Sequence, residues 1–129
     1  MIVADASVLA NVIGGGESGR RVRERLAGAR LLAPEFVDLE VTSVIRRAHQ
    51  TGRMGAERAI QALADLALLS ISRVTHTPFL GRIWELRDNV TPYDAAYVAL
   101  AEVMEAPLFT ADARLSRAPG VRCEVVVVS

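Results

Sequence analysis

Short apolar runs alternate along the chain with longer segments whose apolar positions recur every three or four residues. Ile2–Ala4, Arg30–Ala33, Ser70–Val74, Pro107–Thr110 and Cys123–Val128 read as strands. Ser7–Ile13, Arg20–Ala29, Glu35–Gln50, Ala56–Leu69, Pro78–Asp88 and Pro92–Met104 read as helices, and Asp112–Arg117 as a short helical turn. Within the helices, Val37, Val41, Val44, Ile45 and Ala48 form one stripe, and Ala59, Ile60, Leu63 and Leu66 another. Phe79, Ile83 and Trp84 mark the apolar side of the helix after Pro78. The glycine-rich segment Gly14–Gly19 reads as a loop, and Gly52 suits a helix stop.

Strands that alternate with helices predict an α/β fold, a three-layer α/β/α sandwich around a central parallel sheet of four to five strands. Its crossovers are right-handed, and ligands bind outside the carboxyl ends of its strands. At 129 residues the expectation is a single domain spanning residues 1–129.

Placing the acids on this layout exposes a pattern. Asp5 ends the first strand and Asp112 follows the fourth. Glu40 lies in the second turn of the helix after the second strand, and Asp94 in the first turn of the helix leading into the fourth. A helix that feeds a parallel strand runs antiparallel to it, so both helices start at the carboxyl edge. Four acids remote in sequence are thus expected on one rim. Each also has a local explanation. Asp5 or Ser7 suits the cap of the first helix and Asp112 the cap of its turn, while Thr91-Pro92-Tyr93-Asp94 has the form of a capping box. Local capping does not explain the convergence. Two carboxylates about 4 Å apart repel by roughly 4 kcal/mol at an effective dielectric near 20. Such a cluster calls for protons or cations, and oxygen ligands without His or Cys select Mg²⁺ or Mn²⁺.

Composition narrows the chemistry further. The net charge is zero, so no global positive field draws the chain to nucleic acid. All fifteen basic residues are Arg, which excludes receiver-type and haloacid-phosphatase-type sites that need a lysine. Cys123 is alone, and His49 and His76 stand in no ligand spacing, so neither a disulfide framework nor a zinc site is expected. No apolar run approaches the roughly 20 residues of a membrane span, and the start lacks a signal-peptide pattern. A cytoplasmic protein is the expectation.

Four stretches, IVADASVLAN, APEFVDLEVTSVIRR, LRDNVTPYDAAYVALAE and LFTADARLSRAPGV, resemble in order and spacing the PIN domain family, and within it the VapC-type ribonuclease toxins of toxin–antitoxin pairs. The resemblance implies divalent-metal-dependent RNA cleavage, a homodimer and a cognate VapB-type antitoxin. It implies metal binding and catalysis by Asp5, Glu40, Asp94 and Asp112, with Ser7 and Thr110 as supporting hydroxyls beside them. Arg46, Arg47 and Arg53, or Arg20, Arg21 and Arg23, are candidates for phosphate contacts. The helix around Pro92–Met104 and the one around Ile60–Leu69 carry apolar surface suited to a dimer seam. One alternative uses the Gly14–Gly19 loop: Gly14, Gly16 and Gly19 fit G-x-G-x-x-G, with Glu35 downstream, as in a non-catalytic dinucleotide-binding module. It requires Ser7–Ile13 to be a strand. A P-loop is excluded, because Arg20-Arg21 stands where Lys-Ser/Thr is needed.

Overall fold

A computed structural model describes residues 1–129. The elements in chain order are β1 (Ile2–Ala4), α1 (Ala6–Gly14), α2 (Gly16–Leu26), β2 (Leu31–Pro34), α3 (Val37–Gln50), α4 (Ala56–Leu68), β3 (Ile71–Val74), α5 (Leu80–Glu85), α6 (Pro92–Met104), β4 (Leu108–Thr110) and β5 (Val125–Val127). Short 3₁₀ turns precede α5 (Thr77–Phe79) and follow β4 (Ala113–Arg117). The strands form one parallel sheet in the order β3-β2-β1-β4-β5, with Val3 registered on Leu32 at one side and on Leu108 at the other. This is the expected three-layer α/β/α arrangement. The connections β1→β2→β3 step one way across the sheet, and β3→β4 steps back past β1. Right-handed crossovers therefore place α1–α4 on one face and α5–α6 on the other. The helix contacts agree, linking α1 with α2 and α3, α3 with α4, and α5 with α6.

The central strands are apolar on both sides because both faces are covered. All of β1 and β4 is buried, whereas β3, at one edge, is only partly so. Helix α6 is apolar nearly all round for the same reason: Ala95 through Ala101 are all buried. Its small side chains let the helix lie close to β1, β2 and β4, which it contacts.

Three sequence readings need correction. Gly14–Gly19 is not an open loop. Helix α1 runs to Gly14 and α2 begins at Gly16, with Gly15 and Gly16 at φ +74° and +72°. These left-handed values, which side chains resist, turn the chain back on itself within a residue. Gly19 then lies against α1, where an added Cβ would sit 2.6 Å from the Asn11 carbonyl oxygen. The three glycines thus serve a helix–helix corner. The preceding segment is helical, so the geometry a dinucleotide fingerprint requires is missing.

The second correction concerns amphipathic faces. Val41 and Ile45 are buried as expected, but Val44 is exposed. On α4 the inward positions are Ala62 and Leu66, while Ile60, Leu63 and Leu68 face outward. Trp84 on α5 is also exposed, and Arg87 stacks on its ring at 4.8 Å. The third correction is that Ala95 through Ala101 of α6 are all buried, so that of its large apolar side chains Tyr93 and Val103 stay exposed.

Two ionic ties brace the fold, one between sheet and helix and one between helices. Arg73 on β3 makes a two-pronged pair with Asp38 at 2.8 and 2.9 Å, and also donates to the Leu66 carbonyl at the end of α4. Arg82 on α5 grips Glu102 on α6 at 2.8 and 3.1 Å and donates to the Gly120 carbonyl. The Arg122 N–H donates to the same carboxylate. Burial pushes the Glu102 carboxyl up, but these donors together outweigh it and hold the group below its ordinary value.

Gly19→Ala is expected to lower the unfolding free energy by about 2 kcal/mol, read from urea titration, because α2 must move off α1. Glu102→Gln is expected to destabilise by about 2 kcal/mol at neutral pH. A depressed carboxyl stabilises above its unfolded value and stops doing so as pH falls through its folded one. The gap between wild type and Glu102→Gln should therefore narrow on acidification.

Candidate active site

Strand order reverses beside β1, because the chain leaves β1 towards β2 on one side and returns to β4 on the other. The crevice outside the carboxyl ends of β1 and β4 is the topological switch point, where such sheets bind ligands. Asp5 follows β1 and Asp112 lies two residues after β4, so the fold sets both at this crevice. Glu40 at the start of α3 and Asp94 at the start of α6 reach it from opposite faces of the sheet. The charges of Asp5, Glu40 and Asp94 act on one another, as do those of Asp94 and Asp112.

Local chemistry fixes each carboxylate. Asp5, 8% exposed, caps α1 by accepting from the Val8 N–H at 3.2 Å, and also accepts from the Ser7 hydroxyl. Ser7 in turn accepts from the Ala111 N–H at 3.0 Å, tying the end of β1 to the end of β4. Thr110, fully buried, accepts from the Asp112 N–H at 3.0 Å. Asp94 is the third residue of α6, with its N–H donated to the capping Thr91 hydroxyl at 3.2 Å. Asp112 caps the following 3₁₀ turn through the Arg114 N–H at 2.9 Å. Capping and convergence are therefore one feature. Helix N-termini collect at the carboxyl rim of a parallel sheet, and their unpaired N–H groups favour anions there.

Three groups that sequence reasoning missed complete the rim. Tyr97, one turn after Asp94 on α6, donates its hydroxyl to Glu40 at 2.6 Å and so bridges α6 to α3. Phe36, before α3, packs edge-on against Tyr93 and Tyr97 at 5.5 and 5.7 Å between ring centres. Arg114 lays its guanidinium on Asp112 with two bonds of 3.1 Å. The i+3 spacing of Asp94 and Tyr97 was a usable signal. No sequence signal pairs Tyr97 with Glu40, 57 residues away.

Electrostatics separates the acids. Burial raises the Glu40 carboxyl, the Tyr97 hydroxyl partly offsets this, and the charges of Asp94 and Asp5 raise it further. Burial also raises Asp94, and the charge of Asp5 adds to it. Asp112 goes the other way, held below the ordinary range chiefly by the Arg114 side chain and then by its N–H. As they stand, no three acids close around a common point. Asp112 is turned into Arg114 and Glu40 into Tyr97. The donor set itself, four carboxylates and hydroxyls with no nitrogen or sulfur, fits a hard divalent cation, provided Asp112 exchanges its guanidinium for it.

Several of the arginines named from sequence as phosphate contacts have local partners. Arg20 pairs with Glu17 and Glu24, Arg23 donates to the Val12 carbonyl, and Arg53 to Thr51. Arg46 stands roughly 9 Å along α3 from Glu40, away from the rim.

The raised acids make a signed prediction for the chain in chelator. A carboxyl raised on folding holds more protons folded than unfolded between its ordinary and raised values, so stability falls as pH rises through that window and levels off above it. The thermal midpoint should decline from the ordinary carboxylate range upward. Asp94→Asn should flatten the decline and raise the midpoint at neutral pH. A wild-type profile with no such decline would contradict the assignment of Glu40 and Asp94 as electrostatically loaded.

Comparison with known proteins identifies the family. A PIN domain model matches residues 2–121. A VapC ribonuclease of Mycobacterium bovis is 41% identical over 129 residues, 99% of this chain and 98% of that protein. Ribonuclease VapC1 of Mycobacterium tuberculosis is 40% identical over 128 residues, covering 98% and 96%. Two crystal structures share the fold. VapBC2 of Rickettsia felis, bound to a DNA fragment of its promoter, aligns over 100% of both chains with a TM-score of 0.70 at 16% identity. The sarcin-ricin-loop-cleaving toxin VapC20 of Mycobacterium tuberculosis aligns over 95% and 97% with a TM-score of 0.68 at 19% identity. Spanning nearly the whole chain, these matches place the protein in the PIN domain family.

Proposed function

We propose that this chain is an endoribonuclease, the toxin of a toxin–antitoxin pair, and that its single domain hydrolyses RNA phosphodiesters at the rim formed by Asp5, Glu40, Asp94 and Asp112. The convergence of these four acids at the switch point carries the reading. The ribonuclease names of relatives 40–41% identical over nearly the full length support it.

Asp5, Glu40, Asp94 and Asp112 would hold one or two Mg²⁺ or Mn²⁺ ions. Bound there, such an ion acts as a Lewis acid on a phosphodiester and makes a nearby water more acidic. The chain's own contribution is placement. Asp5 is immobilised by a cap and by Ser7, whose second bond fixes the β4 end as well. Tyr97, buried and with its own hydroxyl pushed far up by burial and by Glu40, remains a neutral donor that orients Glu40. Thr110 fixes the backbone at Asp112. The acids alone repel RNA, so the substrate backbone must be held by cations beside them.

The partners follow from the same reading. A VapB-type antitoxin is the cognate inhibitor, in keeping with the paired VapBC2 proteins of the Rickettsia structure. A homodimer is proposed through α4, where Ile60, Leu63 and Leu68 are exposed, rather than through α6. No helix is long and apolar enough to cross a membrane, and the cytoplasm, where RNA is met, is the proposed compartment.

Purified chain free of antitoxin, incubated with total cellular RNA in Mn²⁺ or Mg²⁺, is expected to give discrete 5′ ends. Chelator should abolish them. Asp94→Asn and Asp5→Asn should each reduce cleavage on the order of 100-fold or more. Either dication should raise the wild-type thermal midpoint while NAD leaves it unmoved. Undiminished cleavage by Asp94→Asn would overturn the assignment.

A further inference from the structure

Beside the acids lies a cleft of about 530 Å³, bounded by the segment Arg87–Pro92 before α6 and by the turn after β4. Asp94 and Asp112 form part of its wall, and so do Arg87 and Arg114. Neither arginine was singled out by sequence, and nothing in the family resemblance assigns them. We propose that this cleft is the track for the RNA backbone, with Arg87 and Arg114 contacting the phosphates next to the scissile one. The inference rests on the nuclease reading and deepens it by naming how substrate is held.

Three observations carry it. First, the two guanidiniums border the acids and are not consumed inside the fold, as several other cations of the chain are. Arg73 and Arg82 are consumed by two-pronged ion pairs inside the fold, and Arg20 by two glutamates. Arg114 is 86% exposed and bound only to Asp112, a group that is itself a proposed metal ligand. Arg87 has no carboxylate partner: it donates to the Trp84 carbonyl at 3.0 Å and lies over the Trp84 ring. That stacking holds the guanidinium plane in place while leaving donors free, an arrangement suited to planar, forked phosphate recognition.

Second, the charge of the wall favours RNA only when a dication is present. The lining carries two arginines against Asp88, Asp94 and Asp112, a formal charge of −1. One dication on Asp94 and Asp112 changes this to +1. Arg114 binds both Asp112 oxygens, so a dication held there would compete with it and would free the guanidinium for a phosphate in the cleft. Third, the cleft is polar in character and begins at the proposed reacting centre. Asn89 and Thr91 line it with further hydrogen-bonding groups, and only three of its eleven lining residues are hydrophobic. A hydrogen-bonding, ion-bearing groove of this kind suits a sugar–phosphate backbone rather than an apolar ligand.

The test measures binding of a fluorescent single-stranded RNA oligonucleotide to the full chain in Ca²⁺, a dication for oxygen sites, across a series of salt concentrations. Cleavage of the same RNA in Mg²⁺ is measured in parallel. Arg87→Gln and Arg114→Gln should each weaken binding about tenfold. Each should also lower the slope of log affinity against log salt by about 0.7, the value for one phosphate contact on a single strand. Arg87→Lys and Arg114→Lys should keep the slope. Arg30→Gln, which removes an exposed cation at the amino end of β2 on the opposite rim, should change neither quantity. Replacing Ca²⁺ with chelator should weaken wild-type binding. Matching far-ultraviolet spectra and thermal midpoints in Ca²⁺ identify variants that are folded. If wild type cleaves RNA but folded Arg87→Gln and Arg114→Gln bind with wild-type affinity and slope, the cleft assignment falls and the nuclease reading stands. Equal loss in Arg30→Gln would also overturn it, since the effect would then be one of net charge. If wild type neither binds nor cleaves RNA in any dication, both readings fall.

Discussion

The interaction on which the rest of this structure turns is repulsion among buried or half-buried carboxylates at one crevice. The charges of Asp5 and Asp94 raise the Glu40 carboxyl and that of Asp5 raises Asp94, and burial of Glu40 and Asp94 pushes both the same way. A fold selected for stability alone has no reason to place three acids from three elements within range of each other. The sheet order explains how it can be done. At the switch point two strand ends and two helix N-termini meet, so backbone N–H groups and helix dipoles partly offset the charge before any ion arrives. The remaining imbalance is the physical basis for reading the crevice as a cation site.

The neighbouring side chains keep that imbalance from distorting the fold. Each acid has a named partner: Ser7 and a helix cap for Asp5, Tyr97 for Glu40, Thr91 for the turn that carries Asp94, Arg114 for Asp112. The partners differ in kind, and the difference matters. Hydroxyl donors can orient a carboxylate that also binds an ion, because a carboxylate has lone pairs to spare. A guanidinium spanning both oxygens cannot share them so easily. Were Asp112 to hold a metal ion, as proposed, its local bonding would change most among the four acids, because Arg114 occupies both of its oxygens.

Stability is supplied elsewhere. Buried β1 and β4, the alanine-rich α6 and the aliphatic faces of α1, α3 and α4 form one continuous core. Two forked arginine pairs, Arg73 with Asp38 and Arg82 with Glu102, brace the fold through carboxylates other than the four acids. Asp38 shows why position within a helix turn decides role. It lies two residues before Glu40, yet it points to β3 and is neutralised there, while Glu40 points to the crevice.

Much was legible in the sequence. The alternation of apolar runs with helical stripes determined an α/β sandwich, because strands buried on both faces need continuous apolar residues and amphipathic helices need a stripe. Strand ends and helix starts bearing Asp5, Glu40, Asp94 and Asp112 determined a shared rim, because parallel strands and their connecting helices alternate in direction. What tertiary structure alone decided was everything set by contacts between remote segments. It turned the glycines at 14–19 into a helix corner, because Gly19 meets Asn11 across two packed helices. It left Ile60, Leu63 and Val44 outside, because helix periodicity gives the width of an apolar face but not how much of it a neighbour covers. It joined Tyr97 to Glu40 and set Arg87 beside Arg114, because side-chain distance depends on how elements pack, and no local pattern encodes that.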